Sequence, residues 1–380
     1  MGLITPLLLN LTMASTTLPA SMNEYTHRLT SAVLDEVKKG DNVVIAPISV
    51  YLCTSIMLQG ARGQSVQDLN QILGLGKMKA SDSASAIGEF LRDLRGAKGA
   101  SFQFTNALWI NSKYGVKTPS PEMEASVFPF TKADGALVKR VNSWCSKSTK
   151  GRIPKLIESV EKDTNMILTN AITFDGDWED PFEKQWTKKE NFKGTRGDTK
   201  VDMMLKRAHF DYAKLADGTQ VLNMPYVGNR YAGLFVLPKA GKNTNGVLGA
   251  LTTPTWNSWL DKLQHQEVIV RVPKVKLESE FRLDRALGQV GYGPLYRRVD
   301  LSGFAKGLEQ QQITSAIHKT FLKIDEKGTE AAAATAMMMR AGSAMNPVEP
   351  PSFTADRPYL FFIYDTKTKL ILFSASVQNP

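Results

Sequence analysis

The stretch Lys323-Ile324-Asp325-Glu326-Lys327-Gly328-Thr329-Glu330-Ala331-Ala332-Ala333-Ala334-Thr335-Ala336-Met337-Met338-Met339-Arg340-Ala341-Gly342-Ser343 decides the fold. Its first third reads as a strand running into a turn at Gly328. Small side chains follow, then a segment of Met, Arg, Gly and Ser closed by Pro347, Pro350 and Pro351. Prolines so close together do not fit a sheet interior, which predicts an exposed loop before them. Strand side chains alternate between faces. As a strand, Gly328 to Arg340 would put Thr329, Ala331, Ala333, Thr335, Met337 and Met339 on one face. Glu330, Ala332, Ala334, Ala336, Met338 and Arg340 would share the other. Both charges fall on one side, so the segment is suited to slide into a sheet with its uncharged face buried.

Alanine and methionine also favour helices. A surface helix wants a polar stripe of period 3.6, which Thr335 and the trailing Gly and Pro interrupt. Periodicity leaves insertable strand and solvated helix or loop both open. The run Glu326-Lys327-Gly328-Thr329-Glu330-Ala331-Ala332-Ala333-Ala334-Thr335 resembles the hinge of the serpins, protease inhibitors that insert a reactive loop into a sheet.

The rest of the chain is similar to that family from residue 22 to 380. Asn42, Val43-Val44-Ile45-Ala46, Pro47 and Ser49 resemble the serpin opening, with Ala46 departing from the usual serine. Asn106-Ala107-Leu108-Trp109, Val141-Asn142-Ser143-Trp144 and Met166 to Trp178 carry further signatures. Phe353 to Asp365 and Leu370 to Gln378 read as a closing hairpin. Glycine-rich Gly288 to Tyr296 departs from the family. The resemblance implies an α+β fold with three β-sheets, including a large central mixed one, eight or nine helices, and an exposed reactive loop over about 326–352.

Local patterns add detail. Tyr25, Leu29, Val33, Leu34 and Val37 predict a helix over Met22 to Lys38. Val201 to Pro238 reads as short alternating strands with turns at Asp217-Gly218 and Gly228-Asn229. Val268 to Leu277 reads as a strand-pair region, and Leu283 to Leu287 as a short helix. Residues 1–20 read as a signal peptide cleaved after Ala20, leaving one domain over 21–380; the Asn-x-Ser/Thr site at Asn10 lies inside that leader. Secretion is therefore expected, with a cytoplasmic chain as the alternative. Cys53 and Cys145 have no metal spacing and are expected as buried free thiols.

With 47 Lys and Arg against 37 Asp and Glu, the net charge is +10. That excess suits either a solvated basic surface or a polyanion partner. The resemblance points to the helix over Ser81 to Leu94, with Lys77, Lys79, Arg92, Arg95 and Lys98 around it, as a glycosaminoglycan site. Glu89 and Asp93 dilute that cluster. Neither nucleic acid nor membrane is expected as a partner, and a monomer is.

His27, His209, His265 and His318 sit beside no hydrolase, P-loop or dinucleotide motif, so no enzyme, cofactor or metal site is expected. The resemblance instead assigns His318, Asn170 and Ser49 to a polar lock (the shutter), with His318 bonded to Asn170. Trp178 would lie where the loop starts to insert, the breach. It also implies irreversible suicide inhibition of a serine protease, the cleaved loop dragging the acyl-enzyme across the molecule. A non-inhibitory carrier, chaperone or storage protein is the alternative. The usual hinge length places the reactive bond at Gly342-Ser343. Chemistry favours Arg340-Ala341 for a trypsin-like protease, and Met339 suits a chymotrypsin- or elastase-like pocket.

Overall fold

The structure, a computed structural model, describes residues 6–95, 99–115, 117, 119–329 and 349–380, with residues 6–17 described by backbone alone. The helices are α1 (Pro6–Leu34), α2 (Pro47–Gly60), α3 (Gln64–Leu73), α4 (Ala80–Arg95), α5 (Gly135–Ser148), α6 (Thr244–Gly249), α7 (Thr253–Asp261), α8 (Asp284–Leu287) and α9 (Gly293–Arg297). The first strands are β1 (Val43–Ile45), β2 (Ala100–Asn111), β3 (Ala125–Phe130), β4 (Met166–Asp177), β5 (Lys188–Gly194), β6 (Gly197–Lys214) and β7 (Gln220–Pro225). Then come β8 (Tyr231–Leu237), β9 (Gln264–Pro273), β10 (Val275–Arg282), β11 (Ile317–Ile324), β12 (Gly328–Thr329), β13 (Ser352–Thr354), β14 (Tyr359–Asp365) and β15 (Ile371–Val377).

These strands form three sheets. The largest runs β1-β15-β14-β8-β7-β6-β9-β13, with β5 paired to β6. It is mixed, because β13 joins β9 in parallel while its other ladders are antiparallel. Every residue of β8, β14 and β15 is buried. Such unbroken burial needs cover on both faces. On one side α6 brings Leu248, and α7 brings Trp256 and Trp259, against Leu360 and Phe362. On the other, Phe361, Phe373 and Ala375 join the main core with α1 and α2.

The smaller sheets are β12-β4-β2-β3 and β10-β11. Across the outer face of the four-stranded sheet lies α5. Asp134 caps its start, accepting from the Ala136 and Leu137 amides. Its buried stripe of Leu137, Val141 and Cys145 packs with Trp109, Ile153 and Leu156. The helix ends where Lys150 (φ 52°) and Gly151 (φ 82°) take left-handed conformations.

Several local expectations need correction. α1 ends at Leu34, not Lys38, its last turn tightened by Glu36 N–H donating to Val33 O and Val37 N–H to Leu34 O. β6 is 18 residues long where short strands were expected, because three successive neighbours, β5, β9 and β7, pair along it. The Val268–Leu277 region divides at Lys274, β9 and β10 entering different sheets. Cys145 is buried, but Cys53 is only half-buried.

Candidate functional site

Among the described residues no ladder joins β4 to β11: β4 pairs with β2 and β12, and β11 pairs with β10. The central layer is thus divided by a gap between two strands that run in the same direction. Ile172, Thr173 and Phe174 line one side, Phe321, Leu322 and Lys323 the other. Ile363 and Phe373, with Arg152 and Ile153 from the segment after α5, complete its lining.

The chain turns back into the top of this gap directly after β11. Asp325 N–H donates to Gly328 O at 3.0 Å, closing the turn. β12 then pairs antiparallel with β4, Gly328 opposite Asp177 and Thr329 opposite Gly176. Only glycine fits at 328, because a Cβ there would lie 2.0 Å from Gly176 O. Thr329 is 4% exposed and shares a 2.6 Å hydrogen bond with the Tyr226 hydroxyl. Burial drives that phenol's pKa well up, against the opposing effect of the Thr329 bond.

The turn is held from three sides. Trp178 stacks on Tyr226 at 4.4 Å between ring centroids, and its indole N–H donates to Asp325 O at 3.1 Å. The Trp178 and Phe182 amides donate to Lys327 O and Glu326 O. Glu326 is buried, accepts from the Thr187 hydroxyl at 2.9 Å and lies 2.9 Å from Lys274 Nζ. Burial pushes its carboxyl up, but Lys274, its own backbone amide and Thr187 outweigh this and hold it below the usual range. Asp177 differs: burial pushes its carboxyl up, Lys327 opposing and Asp325 adding to the rise.

Midway down β4 the polar residues form a line. Ser49, in the first turn of α2, donates to Asn170 Oδ1 at 2.6 Å, and Asn170 Nδ2 donates to Asn106 Oδ1 at 2.7 Å. The expected His318–Asn170 bond is not seen among the described residues. His318 Nε2 accepts from the Ala46 amide at 3.1 Å instead, tying β11 to the start of α2. Burial lowers the His318 pKa to about 4, so its ring is a neutral acceptor.

Sequence reasoning quoted Asn106 only as part of a strand signature and assigned no site role to it or to Tyr226, Thr187 and Lys274, whose contacts arise from pairing across sheets. Glu330, Ala331, Ala332, Ala333, Ala334 and Thr335 of the hinge lie outside the described residues. So do the candidate bonds Arg340-Ala341 and Gly342-Ser343.

The basic cluster at α4 is weaker than its sequence suggests. Arg95 pairs with Glu124, donates to Phe104 O and stacks over the Phe104 ring. Asp93 binds both Arg230 and Lys367. Lys98 lies outside the described residues. Among the described residues no group of three metal-binding side chains converges, and no helix is long and apolar enough to cross a membrane.

The central layer is divided between β4 and β11, and the turn that follows β11 is seated at the top of that division. The chain belongs to the serpin (serine protease inhibitor) family, whose model matches residues 20–380. An uncharacterized serpin-like protein of Thermococcus kodakarensis is 31% identical, covering 90% of this chain and 81% of its own. The leukocyte elastase inhibitor of Xenopus tropicalis is 30% identical, over 91% and 95%. Among solved structures, human thyroxine-binding globulin complexed with thyroxine superposes with a TM-score of 0.85 at 25% identity, covering 97% of this chain and 99% of its own.

Proposed function

We propose that this chain is an irreversible suicide inhibitor of serine proteases, trapping the acyl-enzyme by inserting its cleaved loop between β4 and β11. The observation that carries the reading is the seating of Thr329. It is inward, buried and in register with β4, so it supplies the first residue of a strand that cleavage would extend. Continued in that register, Ala331 falls opposite Phe174, Ala333 opposite Ile172, Thr335 opposite Asn170, Met337 opposite Leu168 and Met339 opposite Met166. The 12 residues of β4 would thus be matched by 328–339. Thr329 already faces the core, so this whole set would face it too, and it contains no charge. A charge there would cost several kcal/mol.

In this reading Trp178 and Tyr226 guard the point of insertion. Ser49, Asn170 and Asn106 hold the middle of β4 until the strand passes. A protease partner is supported by family membership and by similarity to an elastase inhibitor. Cleavage at Gly342-Ser343 or at Arg340-Ala341 would leave the full matching strand on the hinge. The test is incubation with trypsin, chymotrypsin and elastase separately, with mass spectrometry of the released C-terminal peptide. A denaturant-resistant complex with one protease, and one peptide starting at Ser343 or Ala341, is the expected result. Arg340→Ala abolishes trypsin inhibition only if the second bond is the bait.

A carrier role is the second reading, supported by the likeness to thyroxine-binding globulin. It predicts cleavage without complex. The leader over residues 1–20 is also proposed; the family match begins at residue 20, and cleavage after Ala20 would remove buried Leu18. N-terminal sequencing of the exported protein tests it.

A further inference from the structure

Of the four histidines, His27 and His318 are buried. The other two meet on the surface. His209 lies on β6 and His265 on β9, which pair antiparallel with His209 opposite Glu267 and Asp211 opposite His265. Alternate residues of a strand share a face, so these four side chains stand on one side of the sheet, with the histidines on a diagonal. Diagonal neighbours lie within reach of ring-sized side chains. The two imidazoles are 5.7 Å apart between centroids, their planes 27° from parallel. Both residues are exposed, the His265 side chain at 69%.

The two carboxylates beside them have different tasks. Arg207 holds Glu267 at both oxygens, each at 3.0 Å. Asp211 Oδ1 lies 3.0 Å from His265 Nδ1, and its Oδ2 accepts from Asn223 Nδ2 at 3.3 Å. A carboxylate at Nδ1 draws the ring proton to that nitrogen and leaves the Nε2 lone pair free. This is the arrangement in which histidine commonly presents itself to a metal, one nitrogen on a carboxylate and the other on the ion. His209 has no hydrogen bond among the described residues, so its ring is free to turn about χ2, a broad torsion in histidine.

We infer that His209 and His265 together bind a divalent transition cation, Zn2+ or Cu2+, each through one ring nitrogen, with Asp211 as the positioning residue. A ring nitrogen about 2.0 Å from the ion puts each ring centroid about 3.1 Å from it. For nitrogen–metal–nitrogen angles from tetrahedral to linear, the centroids would then be about 5 to 6.3 Å apart; the observed 5.7 Å falls inside that range. The ligand type chooses the ion, since neutral imidazole suits zinc and copper whereas calcium and magnesium demand oxygen. Arg207 neutralises Glu267, and the Asp211 carboxylate remains beside the pair to favour a cation. No third ligating side chain converges with them among the described residues, so water completes the shell and the ion exchanges readily. Once bound it would tie β6 to β9 at a point the ladder alone now holds. The site rests on these two strands and stands independently of the inhibitory reading.

The test is calorimetric titration of the untagged full chain, stripped of metal, with ZnCl2, CuCl2 and CaCl2 in turn. One equivalent of Zn2+ or Cu2+ should bind, with affinity at least tenfold lower in His209→Gln and in His265→Gln. Asp211→Asn should weaken binding about tenfold. With Cu2+, electron paramagnetic resonance should show coupling to two imidazole nitrogens in the parent and in Asp211→Asn, but to one in either histidine variant. Both histidines are exposed, so in EDTA the variants should melt at the parental temperature. The inference is overturned if neither transition ion binds, if Ca2+ binds as tightly as Zn2+, or if only one of the two histidine variants loses affinity. Parental binding by His209→Gln/His265→Gln would place the ion elsewhere and overturn it equally.

Discussion

Replacing Thr329 with arginine is the sharpest perturbation of the hinge. The threonine is 4% exposed, and its hydroxyl meets the Tyr226 hydroxyl at 2.6 Å. Losing that bond leaves a buried phenol unsatisfied, at a cost of about 1–3 kcal/mol. The incoming guanidinium would face Tyr226 and a gap lined in part by Ile363 and Phe373, which offer no anion. An unpaired buried charge adds about 3–5 kcal/mol. Together the penalty is about 5 kcal/mol, more than a thousandfold against seating the first inserted residue. Under the proposed mechanism the loop would remain a substrate, so cutting and trapping should separate. With a protease that forms complex with the parent, Thr329→Arg should be cut at a rate within about twofold of parental, the loss falling on the later step. Denaturant-resistant complex on a gel should drop at least tenfold. Thr329→Ser, which keeps the hydroxyl, should retain most of it. An unchanged yield of complex from the arginine variant would refute the reasoning.

Three further outcomes follow from the same geometry. His318 has a folded pKa of about 4 against an ordinary 6.5, so the folded state resists its protonation. Its contribution is complete above pH 6.5 and is lost as pH falls toward 4, about 3 kcal/mol in all; urea unfolding at pH 7 and pH 4 should show His318→Gln losing that much less than the parent. Lys274→Ala strands the buried Glu326 carboxylate and should cost about 1–3 kcal/mol at pH 7. Because Glu326 titrates below its usual range, that deficit should vanish as pH falls through its folded pKa, where the parent also loses the pair. Gly328→Ala would place a Cβ 2.0 Å from Gly176 O. It should therefore unpair β12 from β4, seen as faster amide exchange at Thr329 and a lower complex yield.

The turn at Gly328 and the β4 strand were legible because both are written in consecutive residues. Parity put Thr329 on the uncharged face, and it is buried; the run from Met166 that carried a family signature is strand β4, though seven of its 12 residues are only half-buried. What joins those pieces was not legible. Tyr226 reaches Thr329, and Lys274 and Thr187 reach Glu326, across sheet pairings separated by 52 to 139 positions. Neither the sign of a residue nor its period announces such partners. The shutter shows the limit of resemblance. Ser49 and Asn170 do meet, but His318 bonds the Ala46 backbone, a group every residue at position 46 other than proline would offer. The α4 basic cluster shows a related limit, since Arg95 counts as a surface cation in sequence and is committed to Glu124 and Phe104 in the fold.

The most direct measurement is calorimetric melting of the intact chain beside the same chain nicked once in its loop. Under the proposed mechanism, insertion would add a full-length strand between β4 and β11 and close the division in the central layer. The nicked form should therefore melt higher by more than about 10 °C, on the scale of several kcal/mol of added stability. A nicked form that melts at or below the intact temperature would contradict the account.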